Sequence, residues 1–231
     1  MKLKKSKVLL VVFFLLILVL IYIMVKDLIP LFEKIIKNKG NESKMIDYIQ
    51  AYGIKGVPIL IGLSFFQAIS FIFPAFPIQI LSGLCYGMWI GSLLYIIGAS
   101  LGNLSMFLVV QKFESSLPFF KERSKKSKIK LLDTKKIKNP ERLVILLYLI
   151  PIIPNAMLPY FFSKTNITPI KYFISLIISF IPFTLLTTGL GHSISHGNYT
   201  IAIVILIVLT IALVIIFLFK NKILNKMTKY Y

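Results

Sequence analysis

The sequence predicts an all-α, polytopic integral membrane protein, and two long charge-free runs are the main evidence. Residues 56–111 and residues 172–219 contain no Asp, Glu, Lys or Arg. A helix needs about 20 apolar residues to cross a bilayer, so each run is long enough for two crossings. The whole chain is 57% apolar, with a mean hydropathy of +0.85. We therefore expect one membrane domain of about five to six spans.

Residues 1–55 are predicted to form an N-terminal anchor helix and an amphipathic juxtamembrane segment. Four lysines precede an 18-residue charge-free run over residues 8–25. A signal peptide has an apolar region of only about 7–15 residues and a small-residue cleavage site, so an uncleaved span fits better. Apolar residues recur at helical spacing over residues 43–52. That stretch is either a helix on the membrane surface or an ordinary connecting helix.

The basic charge of the chain is concentrated beside the apolar runs. The net charge is +19, and residues 112–142 hold eleven Lys or Arg against four acids. Basic residues that flank spans follow the positive-inside rule and attract anionic lipid headgroups. We expect membrane lipids to be the partners of this loop, and the distribution argues against nucleic acid. It also places the loop and both termini in the cytoplasm.

Two proline pairs, 77 residues apart, interrupt the apolar runs. Pro74 and Pro77 form one Pro-x-x-Pro pattern, and Pro151 and Pro154 form the other. Proline fixes φ and removes a backbone donor, so it breaks a helix interior. Paired interruptions in two halves of a membrane protein indicate a central substrate site. We predict two opposed re-entrant or broken-helix hairpins in an inverted repeat.

The order of segments is the same in both predicted halves, residues 57–111 and residues 143–189, which the basic loop joins. Each half has a first apolar piece, a proline pair, a short piece and a full span. The pieces are 57–73, 78–86 and 87–111 in the first half, and 143–150, 155–163 and 169–189 in the second. Residues 56–191 are thus the predicted core, and residues 192–231 hold a last helix at 200–219 and a basic tail.

The orientation of the first half stays open. Two spans around a re-entrant hairpin would give an even number of crossings, whereas the charge distribution requires an odd number between residues 26 and 112 if the first span crosses outward. Either the first hairpin crosses the bilayer, or the N-terminal helix is oriented differently.

Small residues recur at regular spacing in and after the first short segment, and again in the span that follows the second. Gly83, Gly87, Gly91, Gly98 and Gly102 are spaced so that one continuous helix would place them within a 100° sector of one face. Such a face lets another backbone approach closely, so it indicates either a substrate path or helix packing alone. The 77-residue offset maps the last two glycines onto a second small pair, Ser175 and Ser179.

Uncharged polar residues stand beside the proline pairs. Gln79 and Asn155 each lie within two residues of a pair, where their amides could bind freed carbonyls or a polar headgroup. No carboxylate lies between Asp47 and Glu114, which disfavours proton coupling through carboxylates. His192 and the histidine four residues later are expected in an interfacial loop without further metal ligands. We expect no enzyme activity and no cofactor.

Residues 67–191 resemble the DedA-like superfamily, also called the VTT or SNARE-associated Golgi protein domain, in its Golgi vesicle-protein-type branch with bacterial relatives. In the first half, the residues that carry the resemblance are Gln67…Pro74-Ala-Phe-Pro77…Ser82-Gly83-Leu-Cys-Tyr86-Gly87…Gly91…Gly98-Ala-Ser-Leu-Gly102. In the second half, they are Ile150-Pro151-Ile-Ile-Pro154-Asn155…Tyr160 and Pro182…Gly189. The resemblance implies two opposed re-entrant hairpins, each followed by a span. Where the family carries an arginine before the second hairpin's first proline, this chain has Tyr148.

The resemblance implies that the protein moves or scrambles lipids, including phospholipids, across the bilayer through a groove between the hairpins. Two alternatives stay open. One is a transporter of small solutes or of a lipid-carrier phosphate, and the other is a membrane organiser that transports nothing. The excess of lysine, 25 against two arginines, suggests a bacterial plasma membrane protein with several spans. The oligomeric state is not predicted.

Overall fold

The computed structural model describes residues 53–70, 74–113, 137–149 and 157–230, and all regular elements in these ranges are helical. A 3-10 turn at Gly53–Lys55 is followed by α1 (Gly56–Ile69), α2 (Ala75–Phe113), α3 (Pro140–Leu149), α4 (Leu158–Phe162), α5 (Pro169–Ser195) and α6 (Tyr199–Tyr230). The prediction of an all-α protein is confirmed for these ranges. The anchor helix, the amphipathic segment, most of the basic loop and the second proline pair lie outside the described residues.

Helix α2 is broken at Gly87 and consists of two arms that fold back on each other. Gly87 has φ 76° and ψ 177°, a conformation that is essentially restricted to glycine. The Ser82 hydroxyl donates a 2.7 Å hydrogen bond to the Gly91 carbonyl, nine residues further on. In a straight helix these residues would be about 13 Å apart. We call residues 75–86 the short arm and residues 88–113 the long arm.

The break corrects the expectation that the glycines share one helix face. The helix ends at Gly87, so Gly83 and Gly91 lie on opposite arms of the fold rather than on one surface. A side chain at Gly91 would overlap the Ser82 carbonyl, because the arms touch there. The short-segment prediction agrees with the short arm, since proline and glycine bound it on both sides.

Helix α1 packs along the long arm and runs parallel to it. Gly98 lies against the carbonyl of Ile61, and Gly102 lies against that of Phe65, so the contacts advance together along both helices. The α1 helix has 14 residues and is about 21 Å long, shorter than the predicted span over residues 57–73. It ends before the proline pair, which is consistent with a chain interruption at this place.

Helix α5 runs antiparallel to the long arm. The ring of Tyr172 stacks on that of Phe107 at a centroid distance of 4.5 Å, near one end of the pair. At the other end, the hydroxyls of Ser92 and Thr188 are 2.6 Å apart. These two contacts show that the long arm and α5, one from each predicted half, run in opposite directions.

Helix α3 runs parallel to α5, as α1 does to the long arm. Glu141 forms a 2.9 Å ion pair with Lys171 at the start of both helices. Further along, the ring of Tyr148 meets that of Phe180 edge-on at 5.4 Å. The order of helix directions is therefore the same in both halves. The duplication itself and the re-entrant depth of the hairpins stay predictions.

Both ends of α5 have local sequence causes. Pro169 stands at the first helical position, where its fixed φ suits the helix and its missing N–H costs nothing. At the other end the N–H of Asn198 donates to Ser193 and that of Gly197 to Ile194, a Schellman ending with Gly197 at φ 66°. The helix thus continues past the predicted end at residue 189 and includes His192, which was expected in a loop.

The interior of the described core combines a large apolar cluster with buried polar residues, and large apolar residues also cover its outer faces. Buried hydroxyl and amide residues line the interface between the long arm and α5. Large apolar residues recur on the outer faces, among them Trp89, Leu93, Ile97 and Leu101 on the long arm and Ile170, Ile174, Ile178 and Ile181 on α5. By length and composition, α5 and the long arm of α2 are able to cross a membrane. Lipid satisfies such a surface, whereas water does not.

Candidate functional site

A cluster of uncharged polar side chains connects the two halves beside the break at Gly87. Gln79 belongs to the short arm, Ser92 to the long arm, and Thr184, Thr187 and Thr188 to α5. All five are less than 4% exposed. We call these five residues the polar cluster. Gln79 follows the first proline pair at the start of the short arm, and Ser92 follows the reversal of the chain at Gly87.

The hydrogen bonds of the polar cluster cross between helices. Thr187 donates to the Gln79 side-chain oxygen at 2.8 Å, and the amide nitrogen of the same glutamine lies 3.5 Å from the Thr184 hydroxyl. Thr188 meets Ser92 at 2.6 Å and also donates to the Met88 carbonyl at 3.2 Å. Buried polar groups need such partners, because an unpaired one is costly in a low-dielectric interior.

The short arm and α5 are in backbone contact at the polar cluster. A Cβ on Gly83 would overlap the Thr188 carbonyl, and one on Gly191 would overlap the Ile80 carbonyl. Small residues at these two positions let the helices approach this closely. In the described conformation the glycines therefore serve helix packing, and the contact between the halves is closed.

A second polar network lies near the other end of the long arm. The hydroxyl of Tyr148 donates to the Asn103 side-chain oxygen at 2.9 Å and lies 2.7 Å from the hydroxyl of Tyr172. All three residues are at most 7% exposed. We call them the tyrosine network. It joins α3, α5 and the long arm through neutral groups alone.

A third pair ties α1 to the long arm. The Tyr95 hydroxyl donates to the Gln67 side-chain oxygen at 2.9 Å, and both side chains are buried. Gln67 is one of the residues that carry the family resemblance. Its position shows that the first amide of the motif holds two neighbouring helices of the first half together.

Two buried polar atoms have no hydrogen-bond partner within the described residues. One is the Ser100 hydroxyl, which is fully buried on the long arm, and the other is Nδ1 of His192. The His192 ring lies over the turn, and a Cβ on Gly87 would come 3.5 Å from that nitrogen. Buried polar atoms of this kind are rare in folded proteins.

The predicted site residues are distributed unevenly over this arrangement. Gln79 lies in the polar cluster and Tyr148 in the tyrosine network. Pro74 and Pro77 are exposed around the start of the short arm. Ser175 and Ser179 are buried on α5. Pro151, Pro154 and Asn155 lie outside the described residues, so their role in a substrate path stays a prediction.

The two histidines are adjacent but do not complete a metal site among the described residues. The rings of His192 and His196 have centroids 4.2 Å apart. His196 places Nδ1 2.9 Å from the carbonyl of His192, which occupies one ring nitrogen. No third His, Cys, Asp or Glu stands near enough in the described ranges to form a set of metal ligands.

Sequence reasoning missed the α5 threonines and Tyr172. A threonine in a helix can satisfy its hydroxyl on its own preceding turn, so nothing in the sequence marks it as a contact between helices. Thr187 and Thr188 do bond their own helix as well as the partner helices. The one available signal was the density of hydroxyls in a charge-free run, which sequence reasoning did not use.

These features define a helical membrane protein whose two halves meet through uncharged hydrogen bonds. The model of the VTT domain family matches residues 73–193, more than half of the chain. The chain belongs to the VTT domain family, and the predicted resemblance is confirmed. The match covers both arms of α2, the tyrosine network and most of α5. Comparison with curated proteins and with solved structures returned no match.

Proposed function

We propose that this VTT-domain membrane protein moves or scrambles lipids across the bilayer, along a path between its two halves. The observation that carries the proposal is the pair of buried, uncharged hydrogen-bond networks that join α2 to α5, the polar cluster and the tyrosine network. A lipid headgroup that crosses hydrocarbon needs hydrogen-bonding partners throughout, because each unsatisfied polar group costs several kcal/mol there. The polar cluster and the tyrosine network supply such partners at two depths.

Transport on this route requires the halves to separate, because the described contact is closed. Gly83 and Gly191 hold the short arm against the backbone of α5. Separation would free the hydroxyls and amides of the polar cluster for a headgroup, while the acyl chains stay in lipid. Hydrogen bonds across membrane helices are worth only about 1 kcal/mol each, so this opening is energetically accessible.

The two alternative functions have less support in the described core. A transporter of small solutes or of a lipid-carrier phosphate is expected to carry a charged residue in its groove, and residues 56–111 and 172–219 have none. A membrane organiser would use exposed surfaces and would not need a polar interface buried between the halves. Such interfaces cost stability relative to apolar packing, which favours a transport role for this one.

A reversible cross-link between the halves tests the proposal. The hydroxyls of Ser92 and Thr188 are 2.6 Å apart, so a S92C/T188C pair is within disulfide reach. The background is Cys85→Ala, since that residue is the only cysteine of the chain. In liposomes with fluorescent lipid, reduced protein should accelerate exchange between leaflets, and oxidised protein should not. Reductant should restore the rate.

Single-cysteine variants, treated with the same oxidant, are the matched controls and should stay active. Leaflet exchange no faster than in protein-free liposomes, with the reduced and folded protein, would contradict the proposal. Equal rates before and after a verified cross-link would show that lipids do not pass between the two halves.

A further inference from the structure

Helix α5 has a proline at its midpoint, and this proline divides the helix into two segments. Pro182 is the middle residue of the 27 that form α5. Proline has no N–H, so the carbonyl of Ile178, four residues earlier, receives no hydrogen bond from the helix at this turn. Pro182 is exposed on the outer face together with Ile178 and Ile181. We call residues 169–181 the leading segment and residues 183–195 the trailing segment.

The leading segment is held by interlocked aromatic rings. Tyr172, Leu176 and Phe180 belong to the larger apolar cluster, which they share with the long arm, α3 and α4. The ring of Tyr172 stacks on that of Phe107, and the ring of Phe180 meets that of Tyr148 edge-on at 5.4 Å. Side chains that interdigitate in this way cannot shift without repacking their neighbours. The leading segment is therefore fixed to the long arm and α3.

The trailing segment packs in a different apolar cluster. This smaller cluster joins the trailing segment to α6 and to one residue of the short arm; its members are Phe183, Leu186, Leu190, Ala202, Ile205, Leu209 and Ile80. The change from one cluster to the other occurs between Phe180 and Phe183, at the proline. Since six of the seven members come from the trailing segment and α6, these two elements form one packing unit.

The surface that the trailing segment presents to α2 is made mainly of small and polar residues. Thr184, Thr187 and Thr188 bond to the polar groups of α2, and Gly191 lies against the backbone of Ile80. Hydrogen bonds between membrane helices are individually weak, and small residues do not interlock as rings do. The contact of α5 with α2 is thus easier to break after Pro182 than before it.

We propose that Pro182 is a hinge at which the trailing segment, together with α6, swings away from α2, while the leading segment and the tyrosine network stay in place. A hinge is a short stretch of backbone that absorbs the rotation between two packed bodies, and here the two apolar clusters are the bodies. The motion breaks the hydrogen bonds of the polar cluster and opens the interface beside Gly87 alone. The inference rests on the proposed function only where lipid exchange is measured.

Distances between spin labels in proteoliposomes test where the interface opens. In a Cys85→Ala background, one pair of labels joins Leu93 on the long arm to Ile207 on α6, and a second pair joins Leu108 to Ile174 on the leading segment. All four positions are exposed. The first pair should show a second population at longer distance, because the trailing segment and α6 move as one unit. The second pair should show one narrow population.

Pro182→Ala tests the hinge itself. Alanine restores the N–H that the carbonyl of Ile178 lacks, so the helix should stiffen and the longer population of the first pair should fall several-fold. Lipid exchange between leaflets should fall with it. Pro169→Ala is the matched control, since Pro169 is also exposed on α5 but stands at the first helical position, where no helical hydrogen bond is missing. Both measurements should then equal those of the wild type.

The outcomes separate the hinge from the proposed function. Equal widening of both pairs, a single short distance for the first pair, or an unchanged longer population in folded Pro182→Ala would each overturn the hinge. If Pro182→Ala does not fold, the two wild-type pairs decide, because a hinge widens only the first. Distances as expected, without lipid exchange in the wild type, would support the hinge and contradict the proposed function.

Discussion

The hydroxyl of Tyr148 shows how one neutral group can hold three helices together. It donates to Asn103 on the long arm and lies 2.7 Å from the hydroxyl of Tyr172 on α5. A cation at this depth would need a counter-charge, and the described core offers none nearby. Tyr148 therefore joins these helices through neutral hydrogen bonds, in agreement with the charge-free sequence around it.

Removal of this hydroxyl should destabilise the protein measurably. Tyr148→Phe leaves the side-chain oxygen of Asn103 without one donor in a buried position, so we expect a loss of about 1 kcal/mol. Thermal unfolding in detergent, followed by circular dichroism, measures the change. The matched control is Tyr86→Phe, because that hydroxyl donates to the Gly53 carbonyl at an exposed position. Equal effects of the two substitutions would contradict the role of burial.

The ion pair between Glu141 and Lys171 gives a small pH dependence. The hydrogen bond from Lys171 lowers the pKa of the Glu141 carboxyl below its ordinary value of 4.5. A lowered pKa in the folded state stabilises the protein above the unfolded value, and this contribution is lost as the pH falls through the folded value. Both side chains are partly exposed, so the pair contributes less than about 1 kcal/mol.

Unfolding of wild type and Glu141→Gln at pH 7 and below pH 4 measures this contribution. The wild type should be slightly more stable than the variant at pH 7, and the difference should vanish in acid. Lys171→Met serves as the control, since it removes the same pair from the other side. A difference between wild type and Glu141→Gln that persists in acid would show that the charge of the carboxylate is not its source.

At the scale of elements, the break at Gly87 determines the site. It turns the short arm back so that Gln79 and Gly83 face α5 together. The sequence predicted a short segment here, because proline and glycine bound residues 78–86. It could not predict the fold-back itself, since a glycine at this place is equally compatible with a continuous helix. The wrong expectation of one glycine face arose from this ambiguity.

Two glycine substitutions should separate close backbone packing from ordinary contact. A Cβ on Gly83 would overlap the Thr188 carbonyl, so Gly83→Ala must push the short arm away from α5 and should cost about 1–3 kcal/mol. Gly189→Ala is the control, because its Cβ would meet only side chains at 3.5 Å or more. Thermal unfolding in detergent should show a clear loss for the first variant and little change for the second.

A similar stability loss in both variants would contradict the close contact between the short arm and α5. A loss for neither would mean that the halves are already separated in detergent. The cross-link between Ser92 and Thr188 positions distinguishes these cases, because it forms only when the halves are together.

At the scale of the whole molecule, the described core has a more basic end and a turn end. Lys138, Arg142 and Lys171 lie near the start of α5, whereas Gly87 and Gly197 form turns at the opposite end, where Lys55 also lies. The positive-inside rule predicts that the basic end lies in the cytoplasm. In a plasma-membrane protein, the turn end would then face the outside of the cell.

Cysteine labelling in intact cells tests this orientation and the multi-pass topology. In a Cys85→Ala background, Asn198→Cys should react with a membrane-impermeant maleimide from outside, because Asn198 is exposed in the turn between α5 and α6. Lys138→Cys should react only after the cells are permeabilised. The reverse pattern would invert the orientation, and reaction of both positions in intact cells would contradict a membrane-crossing core.

The sequence by itself determined the class of the protein and its family. Charge-free runs of this length are typical of membrane spans, and the spacing of prolines and glycines carries the family resemblance, which the VTT family model confirms over residues 73–193. These are local or compositional properties, so no contact is needed to recognise them. Gln79 was also found in this way, because a buried amide beside a chain break needs a partner.

Only the tertiary structure decided which hydroxyls meet. The pairing of Thr187 with Gln79 and of Thr188 with Ser92 depends on the fold-back at Gly87 and on the antiparallel register of α5 against the long arm. Hydroxyl residues in a helix can satisfy themselves locally, so their sequence pattern does not specify partners a hundred residues away. The physical reason is that these hydrogen bonds form only when two helices pack in one particular register, and the sequence of either helix alone does not determine that register.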